Sequence, residues 1–184
     1  MPNDDTDRLS EVVEEAVTLG HALRACGWMV ATAESCTGGA IARALTEAGG
    51  SSGWFERGFV TYSDASKVDL LGVSADTLAA AGAVSEAIAV QMADGALARS
   101  RAQIALAVTG IAGPGGATPG KPVGTVCFGW AAIDTAPITE TRQFAGDRAA
   151  VRRAAALHAL RGAHRLLPGR PEPAAGPNEP NTNS

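Results

Sequence analysis

Leu9, Val12, Val13, Ala16, Leu19 and Leu23 recur at three- and four-residue intervals, the spacing that lays one apolar stripe along a helix. They predict a first helix from about Asp7 to Cys26, with Thr6 or Asp7 as its cap and Gly27 at its C′ position. The period then changes. Trp28-Met29-Val30-Ala31-Thr32 is a continuous apolar run and reads as a short buried strand. After a polar turn, Ile41 and Leu45 share one face of a short helix ending near Thr46. Gly49-Gly50-Ser51-Ser52-Gly53 is loop chemistry, and the alternation from Phe55 to Tyr62 reads as a second strand. Ser63-Asp64, Ser74 and Ser85 are placed to cap three helices over 65–71, 75–81 and 86–101, the first two stopped by Gly72 and Gly82. Ile104-Ala105-Leu106-Ala107-Val108 has the pattern of a strand covered on both faces. A glycine loop, Thr109 to Gly120, leads to a strand over 124–133, and Ile138 to Phe144 alternates as its antiparallel neighbour. Gly146-Asp147 opens a long last helix over 148–167.

Strands alternating with helices, then two adjacent strands, predict an α/β protein: a three-layer α/β/α fold on a mixed, mostly parallel sheet. At 184 residues the chain is long enough for one domain with a full core. The expected division is a short extension over 1–7, the domain over 8–167, and a tail over 168–184. That tail has five prolines, two glycines and no aliphatic residue larger than alanine. It buries too little apolar surface to offset its ordering entropy and is read as disordered.

A formal charge of -4 gives no electrostatic footprint for nucleic acid or for an anionic membrane surface. No apolar run approaches the roughly 20 residues of a membrane helix. Met1 to Glu15 is acidic and unlike a signal peptide. Cys26, Cys36 and Cys127 are scattered, so neither a disulfide framework nor a zinc site is indicated, and the expected setting is cytoplasmic.

One turn concentrates the candidate chemistry. Ala33-Glu34-Ser35-Cys36-Thr37-Gly38-Gly39 lies between a strand and a helix, where backbone N–H groups meet the positive end of the helix dipole. A serine there can act as a nucleophile with amide donors around it; the same residues are also ordinary caps and turns. Of 15 basic residues, 13 are arginine and only Lys67 and Lys121 are lysine. Lysine is the cation that burial can neutralise into a base, whereas arginine stays charged. Lys67 follows the second strand by one helical turn, and Tyr62, the single tyrosine, ends that strand. Ser35, Tyr62 and Lys67 thus occupy strand-to-helix edges of the kind that gather ligands in open α/β sheets. Serine, lysine and tyrosine together suit acyl transfer, in which a desolvated amine takes the hydroxyl proton. Against this stands a plain alternative, a packed tyrosine and a solvated lysine.

The loop from Thr109 through Gly110 and Gly113 to Gly116 can cradle a phosphate with its amides. Gly115-x4-Gly120-Lys121 spells most of a Walker A motif, but Pro122 replaces the Ser/Thr and a strand follows. A P-loop nucleotidase is excluded. SxxK is absent. Arg148 and Arg152, one turn apart, could clamp a phosphate or carboxylate, or could be surface cations beside Arg153. Cys36 is read as a small buried residue, with a thiol nucleophile as the alternative. His21, His158 and His164 lack ligand spacing and are read as structural.

In order along the chain, the Ser35 turn, Trp54 to Ser63, Gly82-Ala83-Val84-Ser85-Glu86, Thr109 to Pro114, Lys121 to Val126 and Gly146-Asp147-Arg148 resemble the CinA C-terminal domain family, the nicotinamide mononucleotide deamidases. The resemblance spans roughly residues 8–167. It implies hydrolysis of the carboxamide of nicotinamide mononucleotide to nicotinate mononucleotide and ammonia, by a cytoplasmic homodimer without metal or cofactor. It places the nucleophile at Ser35, with Tyr62 and Lys67 in support. Thr37 to Gly39 are then expected to supply oxyanion donors. Glu34, Thr37, Gly38, Gly39, Thr109, Gly110, Gly113, Arg148 and Arg152 are expected around the substrate. Larger family members carry a further N-terminal domain, so a chain starting almost at the first helix is expected to be the stand-alone form. A catalytically silent nucleotide- or protein-binding module, or an amidase for another small amide, are the competing readings.

Overall fold

A computed structural model describes residues 4–169, with side chains from 11 onward. The tail expected over 168–184 falls beyond the described residues from position 170. In chain order the elements are α1 (Asp4–Ala25), β1 (Val30–Glu34), α2 (Ala40–Glu47), β2 (Phe55–Val60), α3 (Asp64–Leu71), α4 (Ala75–Ala81), α5 (Glu86–Ala98), β3 (Ile104–Gly110), β4 (Thr125–Ala132), β5 (Ile138–Gln143) and α6 (Arg148–Ala163). The first helix starts upstream of the expected cap at Thr6 or Asp7, so the short extension over 1–7 is in part helix. Among the described residues no helix is long and apolar enough to cross a membrane.

The five strands form one sheet in the order β2-β1-β3-β4-β5. β2, β1 and β3 are parallel, while β4 runs antiparallel to both its neighbours. Four of five strands therefore share a direction, although the pairings divide evenly, two parallel and two antiparallel. The chain leaves β1 for β2 on one side and then crosses to β3 on the other. Strand order thus reverses at the carboxyl ends of β1 and β3, where open α/β sheets carry a ligand crevice.

β1 sits two residues later than its apolar pattern suggests. Trp28 N–H donates to the Leu23 carbonyl (2.9 Å) and Met29 N–H to Gln103 Oε1 (2.8 Å), so both close the end of α1 and its surroundings. Ladder pairing starts at Val30 and carries through to Glu34. The two-residue period then sorts the side chains. Val30 on β1 and Ile104, Leu106 and Val108 on β3 join the core under α1, α2 and α6, with Trp54, Phe128 and Trp130. Ala31, Ala33, Ala105 and Ala107 face the other way, into a core with Leu71, Ile88 and Met92 under α3 and α5. Continuing the same alternation past the strand ends sends Glu34 toward α2, and Ser35 and Thr109 toward the α3–α5 layer.

Candidate active site

Ser35 follows β1 directly, and its N–H extends the ladder by donating to the Val108 carbonyl (2.9 Å). Gly38 and Gly39, at φ 61° and 91°, turn the chain into α2 through the left-handed region that favours glycine. Glu34 holds this turn from beneath. Fully buried, its carboxylate accepts the N–H groups of Gly39 (3.0 Å), Ile41 (3.1 Å) and Ala42 (2.8 Å). These are the orphan donors of the α2 N-terminus, satisfied by a charge of the sign the helix dipole favours. Glu34 is thereby committed to the protein; it positions the loop and does not line the cleft.

Ser63 caps α3 reciprocally with Ser66, which fixes the first turn of that helix and places Lys67 inward. Lys67 is 1% exposed, and its Nζ lies 3.4 Å from Ser35 Oγ. The same nitrogen donates to the carbonyls of Thr61 (3.1 Å) and Ser63 (3.5 Å). Burial pushes the Lys67 ammonium below its ordinary range, and the carboxylate of Asp64, 3.8 Å away, opposes this. Burial pushes the neighbouring Cys36 thiol up to about 12, which disfavours the thiolate at neutral pH.

Ser35 and Lys67 open into a cleft of about 300 Å³ whose walls include Tyr62, Thr109, Gly110, Gly113 and Arg148. Tyr62 is 61% exposed at the mouth, where its phenol oxygen accepts from Arg148 Nη2 (2.9 Å). Among the described residues Tyr62 bonds to neither Ser35 nor Lys67. Arg148 Nη1 also donates to the Gly113 carbonyl (2.7 Å), tying the glycine loop to α6. The Thr109 hydroxyl, expected at the substrate, donates to the Ala83 carbonyl (2.8 Å).

Three further expectations are redrawn by the geometry. Arg148 and Arg152 do not converge: Arg152 Nη2 donates to the Thr37 carbonyl (2.7 Å) from behind the Ser35 loop. Arg152, Gly38 and Gly39 line a separate hollow of about 490 Å³ between α1, α2 and α6, which contains no nucleophile and base in contact. Of the three expected oxyanion amides, two are occupied. Gly38 N–H donates to the Ser35 carbonyl (3.1 Å) and Gly39 N–H to Glu34. The amides of Cys36 and Thr37 have no acceptor among the described residues. The Thr37 side chain is fully buried and its hydroxyl has no hydrogen-bond partner among the described residues.

Sequence reasoning missed the carbonyls of Thr61 and Ser63 and the connector Gly82 to Ser85. The connector stood out as a motif, but nothing local gives it a role. Ala83 and Val84 line the cleft.

A sheet crevice that presents a buried amine against a strand-end serine defines a class: three-layer α/β/α proteins with a polar cleft at the β1/β3 reversal. Within that class the chain belongs to the CinA C-terminal domain family, whose model matches residues 13–167. It is 55% identical to a nicotinamide-nucleotide amidohydrolase PncC of Enterobacter agglomerans, over 83% of this chain and 93% of that one. To the protein of that name in Escherichia coli K12 it is 52% identical, over 82% and 92%. Among solved structures, a competence/damage inducible protein of Agrobacterium tumefaciens superimposes with a TM-score of 0.83 at 46% identity, covering 85% of this chain and 95% of that one.

Proposed function

We propose that the protein hydrolyses the carboxamide of nicotinamide mononucleotide, giving nicotinate mononucleotide and ammonia, with Ser35 as nucleophile. What carries this reading is the contact between Ser35 Oγ and the buried Lys67 Nζ. The substrate follows the names of the relatives. A neutral amine has two N–H groups and one lone pair. Lys67 Nζ donates to the carbonyls of Thr61 and Ser63 and also contacts Ser35 Oγ; in the proposed neutral form it is this last position that carries the lone pair.

Ser35 Oγ attacks the carboxamide carbon as its proton passes to Lys67 Nζ. The oxygen of the tetrahedral intermediate accepts from the amides of Cys36 and Thr37, the two donors left free in the turn. The C–N bond breaks, and the leaving nitrogen takes the proton from Lys67 and departs as ammonia. A water molecule, deprotonated by the same amine, then attacks the acyl ester; the bond to Ser35 Oγ breaks, and that oxygen takes the proton back from Lys67 as the acid product is released. Tyr62 acts on bound substrate, since its phenol faces the cleft and is oriented by Arg148. Arg148 and the loop from Gly110 to Gly116 are assigned to the ribose phosphate. The homodimer and the cytoplasmic setting that the resemblance implies belong to the same proposal.

Ammonia release from nicotinamide mononucleotide, run beside free nicotinamide, tests the reading. Release is expected from the mononucleotide only. Ser35→Ala should lose at least roughly 10³-fold in kcat with its fold intact. Lys67→Arg should fail as well, because a guanidinium is no base at neutral pH. A Ser35→Ala enzyme that still turns over would remove the serine from the nucleophile's role.

A further inference from the structure

Lys121, the second of the two lysines, lies outside the cleft lining, yet it is tied to one of its walls. Its Nζ donates to the carbonyl of Ala81, the last residue of α4, at 3.0 Å. Its own backbone closes the tip of the glycine loop. Thr118 N–H donates to the Lys121 carbonyl (3.1 Å) and Lys121 N–H to that of Thr118 (2.9 Å). The loop is thus a β3–β4 connection with a self-closed tip and exposed flanks over 114–120. At its base, Ile111 N–H donates to Thr125 O (2.8 Å) and Gly124 N–H to Ile111 O (2.7 Å). Beyond that base, Gln143 and Thr125 hold its return limb at Val123 and Pro122, and two further side chains hold its glycine-rich part to the body of the protein. Arg148 reaches Gly113 from α6, and Lys121 reaches Ala81 from the loop itself.

The carbonyl that Lys121 takes begins the α4–α5 connector, which is itself well fixed. Ser85 Oγ donates to Gly82 O (2.9 Å) and accepts from Ile88 N–H (3.3 Å), while Thr109 Oγ1 holds Ala83 O. A rigid strap therefore meets a loop rich in glycine, and only a long, unbranched donor spans the two. Among the described residues Lys121 makes no ion pair that would explain it otherwise.

We infer that Lys121 is a positioning residue that holds the glycine loop against the α4–α5 connector and thereby sets the affinity for the phosphate end of the substrate. Without this tether the loop samples more conformations, and substrate binding must order it at the expense of affinity. The chemical step is untouched, because Ser35 is fixed at the end of β1 and Lys67 stands on α3. This inference rests on the amidase reading for its kinetic arm, and an independent arm does not need that reading.

The test compares Lys121→Ala and Lys121→Arg with the parent enzyme. Lys121→Ala should raise KM for nicotinamide mononucleotide about tenfold and leave kcat within about twofold. Lys121→Arg should recover most of the loss, since a guanidinium can donate to the same carbonyl. Hydrogen exchange of the amides over 112–120, measured without substrate, should speed up in Lys121→Ala and return toward the parent rate in Lys121→Arg. An unchanged KM in Lys121→Ala, or unchanged exchange over those amides, overturns the inference. If the parent protein releases no ammonia the amidase reading fails on its own, and exchange still decides the tether.

Discussion

In the proposed reaction Lys67 is the base, and its environment sets the pH at which it would work. Burial favours the neutral amine, whereas Asp64, 65% exposed and 3.8 Å from Nζ, favours the ammonium. In that reaction the base form is the active one. Activity should therefore rise with pH through an ionisation lying below the ordinary lysine range of about 10.4. Asp64→Asn removes the charge that holds the proton on, so the rising limb of kcat/KM should move to lower pH. More of the amine is then active at pH 7. A limb that stays in place, or moves upward, would mean that another group is the titrating base. The exposed carboxylate is screened by water, so added salt should move the parent limb in the same direction as the substitution.

At the scale of the element, the Ser35 turn and the helix it opens are both held by Glu34. Glu34→Ala leaves three N–H groups at the start of α2 without their acceptor in a closed space, costing about 3 kcal/mol. Glu34→Gln keeps one oxygen and turns an NH₂ toward an N–H, costing roughly 2 kcal/mol. Urea unfolding checks both, and turnover should fall as the loop loosens; losses under about 1 kcal/mol would show the carboxylate to be dispensable. The sequence makes the gathering of Ser35, Tyr62 and Lys67 legible, because each sits at the same strand-to-helix edge and such edges share one side of a parallel sheet. It hides Glu34's role, because the apolar run begins at Trp28 and so places the strand two residues early. With the strand ending at Glu34 instead, alternation alone sends that carboxylate to the α2 face and the serine to the α3 face. The divergence of Arg148 and Arg152 is hidden for another reason. A one-turn spacing puts both on one helix face, but which carbonyl each guanidinium meets depends on loops far along the chain.

Across the whole molecule the two faces of the sheet are built differently, and the catalytic pair lies over the finer one. Large side chains fill the α1/α2/α6 side, whereas alanines line the α3/α5 side, so α5 comes close to the strands. Ala33 and Ala107 are register partners on that side, each two residues before Ser35 and Thr109 respectively. α3, which carries Lys67, packs on α5. Anything that lifts α5 therefore shifts the amine relative to a serine fixed to β1. Ala107→Val adds two methyl groups where the neighbours cannot retreat, costing about 2 kcal/mol. A displacement of about 1 Å between nucleophile and base lowers kcat on the order of 10²-fold. Leu106→Val, one residue away but on the opposite face, removes a methylene for about 1 kcal/mol and leaves α5 where it is. Both variants should melt earlier, but only Ala107→Val should lose kcat well beyond its loss of stability. Equal kcat in the two, measured well below their melting temperatures, would show that the α3/α5 layer gives way without moving Lys67.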